Sequence, residues 1–258
     1  MSLAKGYLLP YQTRWLKDKS RVKIWDKSRR IGATFVQALE DVIECSQGLY
    51  DVWFTSSDDS AGEEYIKYCE EWAKKLNAAF KATEQELLDE DKDITVYKVR
   101  FRSGKTIHAL SSNPKRFRSK GGKVILDEFA FHEDGDKMWK AAKPAITWGF
   151  PLRILSTHNG MQCKYYQFLQ RAKAGKLPWS VHKTDIYLAV EEGLADKILG
   201  RKLTPAERQA WLDEEYDLTG DEATWQEEYC CNPQDENTAW LPYELIATCE
   251  DPSGGVLW

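Results

Sequence analysis

The stretch "IWDKSRRIGATF", residues 24–35, joins a short apolar run to an amphipathic one, and its reading decides the fold. A phosphate-binding P-loop follows the pattern G-x-x-x-x-G-K-[ST]. Aligned on Gly32 and Thr34, residues 27–34 read K-S-R-R-I-G-A-T, so Ala33 stands where the lysine belongs. Such a loop offers backbone N–H groups and a helix N-terminus to phosphates, and the Thr34 hydroxyl is placed to ligate Mg²⁺. Positive charge is present but displaced, onto Lys27, Arg29 and Arg30. Alone the match is weak, because a G-x-[ST] at a strand–helix junction is more often structural.

Around this loop, Val22 to Trp25 reads as a buried strand. Thr34 to Cys45 reads as a helix with Phe35, Ala38, Leu39 and Val42 on one face. Residues 50–57 predict a second strand ending in a Thr/Ser cluster, and residues 60–80 a long amphipathic helix. The acidic run "TEQELLDEDKD" (83–93) is expected to be a solvated loop or short helix. "TVYKVRF" (95–101) and "KTIHALS" (105–111) then read as strands joined by a turn at Arg102-Ser103-Gly104. "KVILDEFAF" (123–131) and "LRILSTHNG" (152–160) each read as an apolar strand running into a polar loop. Strands alternating with helices imply an α/β fold with a mainly parallel sheet, helices on both faces, and functional loops at the strands' C-terminal ends. Beyond residue 200 the pattern turns helical, as a small lid or linker would.

With 258 residues, 42% of them hydrophobic, the chain can bury a sizeable core. A net charge of −5 argues against a surface that grips nucleic acid everywhere; any such contact must be a local patch. Six cysteines without a C-x-x-C pair suit buried thiols in a reducing compartment, with neither a disulfide frame nor a zinc site. No apolar run approaches 18 residues, and no signal peptide is visible, so the sequence predicts neither membrane insertion nor secretion.

The end of "VILDE" strengthens the P-loop reading. An ATPase of this kind needs a carboxylate on a neighbouring strand for Mg²⁺ and a further acid to orient and deprotonate the attacking water. Asp127 and Glu128 supply both in adjacent positions. "STHNG", Ser156, Thr157, His158, Asn159 and Gly160, can sense the γ-phosphate and pass its loss to a moving segment, although Asn-Gly is equally a common turn. From Lys98 to Lys123 the chain carries nine Lys or Arg and no acid. That stretch suits a solvated loop, a DNA-backbone contact, or an arginine finger worth roughly 10³–10⁵ in turnover.

In this order, "PYQ", "KSRRIGAT", "ALSSNPKRFRSKGGKVILDEFAF" and "LRILSTHNG" resemble the large terminase subunit of tailed bacteriophages, the ATPase that pumps genomic DNA into a preformed capsid. The resemblance implies a RecA-like P-loop NTPase fold of the additional-strand, catalytic-Glu type. The family's P-loop is often deviant, with its basic residue shifted toward the loop start. That makes Ala33 expected and points to Lys27 or Arg30, with Arg29 third, as the phosphate cation. The implied nucleotide-binding set is Tyr11 and Gln12 at the adenine, with Lys27, Ser28, Arg29, Arg30, Ile31, Gly32, Ala33 and Thr34 around the phosphates.

By the same resemblance Thr34 and Asp127 hold Mg²⁺, Glu128 is the catalytic carboxylate, and Ser156 to Gly160 form the coupling motif. Arg118, or else Arg116, acts as a finger on a neighbouring subunit's ATP. The implied partners are double-stranded viral DNA, the portal protein and the small terminase subunit. Assembly as a homo-oligomeric ring would take place in the host bacterial cytoplasm, transiently on the procapsid portal; the isolated chain is expected to be a monomer, with no membrane role. Residues 1–187 are expected to form the ATPase core. Residues 188–258 would be a lid and linker toward an RNase H-like nuclease, which "DPSGGVLW" approaches, so nuclease activity is expected only of the full-length protein.

Two other readings compete. A superfamily 1 or 2 helicase-like translocase would need a second RecA-like lobe after "STHNG", and residues 161–258 are too few and too helical for one. A non-catalytic DNA- or protein-binding module with a decayed P-loop would have no need of Glu128.

Overall fold

The computed structural model describes residues 6–78, 80–89, 92–110, 112 and 121–233. Its centre is one eight-stranded sheet. In chain order, α1 (Pro10–Lys17) leads to β1 (Val22–Lys27), α2 (Ala33–Ser46), β2 (Val52–Thr55) and α3 (Asp59–Lys75). A hairpin of β3 (Phe80–Asp89) and β4 (Lys92–Phe101) and then β5 (Thr106–Leu110) complete that side of the sheet. On the other side come β6 (Lys123–Asp127), α4 (Gly135–Thr147), β7 (Leu152–Ser156), α5 (Lys164–Lys173) and β8 (Ser180–Thr184). The helices α6 (Ile186–Glu191), α7 (Leu194–Ile198) and α8 (Pro205–Thr219) follow, then one turn α9 (Glu222–Thr224) and a π turn, Trp225–Tyr229.

β5, β2, β6, β7, β1 and β8 run parallel, while β3 and β4 are antiparallel additions at one edge. β1, β6 and β7 are buried along their whole length, their charged residues included. Their alternating side chains feed two cores. Trp25, Phe54, Ile125 and Leu155 pack with α1, α2 and α3; Ile24, Val124, Leu126 and Ile154 pack with α4 and α5. Ile186, Ala189, Leu194, Leu212 and Trp225 join the first core, so the C-terminal helices rest on the layer that carries the P-loop helix. Among the described residues no helix is long and apolar enough to cross a membrane.

The acidic run 83–93 departs from expectation: apart from residues 90 and 91, which lie outside the described residues, it belongs to β3 and β4, paired from Phe80↔Phe101 to Asp89↔Lys92. β3 pairs with β4 alone, so backbone hydrogen bonds hold the ribbon and its composition does not announce a strand. The Arg102-Ser103-Gly104 turn forms as read, with Gly104 at φ +86° and the Phe101 N–H on the Lys105 carbonyl at 2.9 Å. Gly122 is a required glycine: at φ +136°, a Cβ there would collide with the Asp51 carbonyl as β6 enters beside β2.

Candidate nucleotide-binding site

β1, β7 and β6 are adjacent and parallel, and their C-terminal ends carry the three motifs. The chain reverses its winding here: β1 leads to β2 on one side and β7 to β8 on the other, and ligands bind at such a switch point. Ser28, buried, continues β1's pairing through its N–H to the Thr184 carbonyl at 2.7 Å. Arg30 then takes a left-handed conformation, φ +56°, and so does Gly32, φ +71°, which turns the chain into α2 at Ala33. A Cβ on Gly32 would lie 2.7 Å from the Gln12 Nε2, so a side chain there would displace the Gln12 amide besides adopting a left-handed conformation.

Tyr11 and Gln12 are buried behind this loop. The Tyr11 hydroxyl donates to the Ile31 carbonyl at 2.9 Å, and the Gln12 amide donates to the Ile31 and Gly32 carbonyls at 3.0 and 3.2 Å. The Gln12 Oε1 accepts the Leu9 N–H, closing the cap of α1. These bonds fix the Ile31 and Gly32 carbonyls against α1. An adenine contact by Gln12 would require its amide to release the loop.

In front, Lys27 Nζ donates to Glu128 Oε1 at 2.5 Å, and the lysine side chain is only 5% exposed. The Thr34 hydroxyl donates to Asp127 Oδ2 at 3.3 Å. The other Asp127 oxygen, Oδ1, is buried with no partner. Burial, then the adjoining Glu128, pushes the Asp127 carboxyl up to about 7. Glu128 leaves the strand in a left-handed conformation, φ 44° and ψ 48°, which swings its carboxylate across to β1 and β7. Its Oε2 accepts the Thr157 N–H at 3.1 Å and the Ser156 and Thr157 hydroxyls at 3.4 Å. Burial raises the Glu128 carboxyl, but Lys27 and the Thr157 donors outweigh it and hold the group below its ordinary value.

The β7 loop is tied on both sides. Ser156 Oγ accepts the Ala130 N–H at 3.0 Å, and the Asn159 amide donates to the Ala130 carbonyl at 3.3 Å. His158 is buried, with Nε2 2.9 Å from Asp26 Oδ1 and Nδ1 unpartnered. Asp26, beside Lys27 on β1, also accepts from Lys173 at 2.8 Å. The structure therefore brings Lys27, Thr34, Asp127, Glu128, Ser156 and Thr157 together, and Arg30 is exposed at the loop's rim. Arg116 and Arg118 lie outside the described residues.

One contributor was not legible in the sequence. The π turn after α9 sets Glu228 on the Arg29 guanidinium and Glu227 on the Gly160 N–H, while the Arg29 N–H donates to the Glu228 carbonyl at 2.9 Å. Two consecutive acids of the C-terminal segment thus strap the P-loop to the β7 loop. Trp225 anchors the turn, buried and stacked on Tyr229 at 4.9 Å.

Cation chemistry fits these residues. Mg²⁺ is commonly held by one or two protein oxygens with phosphates and waters filling its octahedron. Thr34 Oγ1 and Asp127 supply such a pair, and the unpartnered Asp127 Oδ1 is an acceptor with unused capacity. Among the described residues no cluster of three or more His, Cys, Asp or Glu forms an all-protein metal cage.

The family model of the T4-like terminase large subunit, N-terminal part, matches residues 24–248. The chain is 40% identical over 247 residues to the Mu-like prophage FluMu protein gp28 of Haemophilus influenzae, covering 93% of this chain and 49% of that protein. It is 36% identical over 257 residues to the probable terminase large subunit gp28 of Escherichia phage Mu, covering 95% and 47%. The chain thus spans about half the length of these relatives. Among solved structures, the large terminase ATPase domain of Thermus phage P74-26 matches with a TM-score of 0.61 at 16% identity, over 89% of this chain and 95% of that one. A large terminase of a thermophilic bacteriophage in complex with ATP-γ-S matches with a TM-score of 0.60 at 13% identity, over 86% and 52%. At those identities the likeness is one of fold. The family model and the two phage relatives go further: this chain belongs to the terminase large subunits, whose N-terminal part it matches.

Proposed function

We propose that this chain binds ATP with Mg²⁺, hydrolyses it, and couples hydrolysis to the translocation of double-stranded viral DNA into a procapsid. One observation carries the reading. Lys27 of the deviant P-loop meets Glu128 from 101 residues away, beside the Thr34–Asp127 contact. A cation for phosphate, an oxygen pair for Mg²⁺ and a base for water thus stand side by side. A binding module with a decayed loop has no use for the third. The solved relative that holds ATP-γ-S supports the choice of nucleotide.

Thr34 and Asp127 would hold Mg²⁺, which would neutralise charge developing on the phosphates. Lys27 takes the place of the missing P-loop lysine. A phosphate and Glu128 compete for its ammonium, so substrate draws the lysine away and frees the carboxylate to take a proton from the attacking water. Ser156 and Thr157 keep Oε2 oriented during that transfer. Loss of the γ-phosphate returns Lys27 to Glu128, and the change reaches the β7 loop directly and the C-terminal turn through Glu227 and Glu228.

The finer assignments are part of the same proposal. Arg118 or Arg116 serves a neighbour's site in a ring on the portal, in the host cytoplasm, with the small terminase subunit as a further partner. Residues 1–187 act as the motor core, and residues 188–258 as lid and linker toward a nuclease in the full-length protein.

Titration with ATP-γ-S and Mg²⁺, alongside phosphate release from ATP, tests the reading. Lys27→Ala is expected to weaken ATP-γ-S about 10- to 100-fold, the value of one charge-assisted hydrogen bond. Unchanged affinity would remove Lys27 from the phosphates. Glu228→Gln is expected to tighten ATP-γ-S only two- to fivefold or so, because the Arg29–Glu228 pair is solvent-exposed and such pairs are weak. Wild-type affinity in that variant would mean that Arg29 does not reach the nucleotide.

A further inference from the structure

Ser56 lies one residue past the end of β2, on the strand next to β6. It is 2% exposed, and its hydroxyl has no hydrogen-bond partner. The β2–β6 register runs from Val52↔Lys123 to Thr55↔Leu126, so its continuation sets Ser56 abreast of Asp127. The two also share a face. Phe54 and Ile125 both enter the core under α2 and α3, and side chains alternate along a strand. Ser56 and Asp127, each two residues on, therefore turn toward the P-loop helix, where Thr34 already reaches Asp127 Oδ2. Thr55 is also buried and unpartnered, but it belongs to the opposite face with Leu126.

Two buried oxygens without partners, Ser56 Oγ and Asp127 Oδ1, thus stand on adjacent strands about 4.8 Å apart in the sheet. A buried hydroxyl left unsatisfied costs roughly 1–3 kcal/mol, and a bound water or ion is one way that native proteins meet that cost. A serine side chain is too short to cross to a cation held by Thr34 and Asp127 on the far strand, but one water fills the gap. That water, its oxygen turned to the cation, donates to the Ser56 hydroxyl and to Asp127 Oδ1.

We infer that Ser56 is an outer-shell positioning residue of the divalent-cation site, holding a cation-bound water against Asp127. The inference rests on the Mg²⁺–nucleotide reading proposed above and extends it to a strand that carries none of its motifs. Ser56 touches neither phosphate nor the attacking water, so its effect is confined to the cation requirement.

The test is the Mg²⁺ dependence of ATP-γ-S binding in wild type and Ser56→Ala, with melting temperatures of both taken in EDTA. Outer-shell partners typically contribute 10- to 100-fold to metal affinity. The variant is therefore expected to need about 10-fold more Mg²⁺ for half-maximal nucleotide binding. Its binding in EDTA should equal wild type, and its melting temperature in EDTA should be unchanged or higher, since the hydroxyl removed has no protein partner. Superimposable Mg²⁺ curves would overturn the inference. A lowered melting temperature in EDTA would overturn it too, by showing a structural bond at Ser56. Failure of wild type to show any Mg²⁺-dependent binding would remove the nucleotide reading itself, and this inference with it.

Discussion

Glu128→Gln is expected to lower ATP turnover by about 10³-fold while leaving ATP-γ-S binding intact. The size follows from the job assigned: a positioned general base contributes roughly 10²–10⁴. Glutamine keeps the shape and has one acceptor oxygen, so it holds either Lys27 or the Thr157 N–H, and an NH₂ turned to Ser156 and Thr157 can donate only to their hydroxyls. What it loses is the charge that pairs with Lys27 and the capacity to take a proton. The carboxyl is held below its ordinary value, so the native group is charged at neutral pH and ready to accept. Removing that charge also leaves Lys27 free for phosphate, so affinity should hold or improve. A fall in kcat with an unchanged or lower KM is the signature of a group used at the transition state and not in binding. The comparison belongs across a range of protein concentrations, because a finger from a neighbouring subunit would make turnover rise with assembly. Equal background rates in wild type and variant, under conditions that permit assembly, would eliminate the enzyme reading.

Lys27, Asp127 and Glu128 could be picked out of the sequence because each is fixed to the end of a strand, with Thr34 in the helix turn that follows β1, and parallel strands bring their C-terminal ends to one edge. A motif at a strand end carries its position with it. Tyr11 and Gln12 show the limit of that logic. A glutamine beside a P-loop can serve a base or the loop, and only the packing of α1 against α2 reveals that its amide is spent on the Ile31 and Gly32 carbonyls. Glu227 and Glu228 were invisible for another reason: "WQEEY" reads as any solvated acidic helix, and a π turn over a buried Trp225 is what aims the two acids at Arg29 and Gly160. The β3–β4 ribbon escaped because its pairing is carried by backbone hydrogen bonds, which an acidic composition does not announce. Ser56 needed the register of β2 on β6, which no local pattern encodes.

The other large effect lies at the opposite end of the same strands. Lys123→Met is expected to destabilise the fold by about 3–5 kcal/mol, the usual consequence of removing one partner from a buried ionic set. Lys123 is fully buried and contacts Asp41, Glu44 and Glu40 at 2.7, 2.7 and 3.0 Å. Lys23 and Arg153, equally buried, both reach Glu40 at 2.9 Å. The three cations start β6, β1 and β7, and the three acids lie on α2. Methionine fills the lysine's volume but leaves the acids of α2 with a cation too few. Burial already pushes Asp41 up, and loss of Lys123 would drive it toward the neutral form. A second substitution that removes an acid, Glu44→Gln, should then recover part of the loss, since coupled sites are not additive. Urea unfolding of the two single variants and the double variant measures both numbers. A loss below about 1 kcal/mol for Lys123→Met would show that the set is hydrated and structurally minor. The expected result ties the network to function, because each of these strands begins with a cation on α2 and ends at the site: Lys23 to Lys27, Lys123 to Asp127, Arg153 to Ser156. Holding α2 at one end fixes where its first turn, with Thr34, meets Asp127 at the other, so a slip of α2 would first appear as a higher Mg²⁺ concentration for half-maximal nucleotide binding.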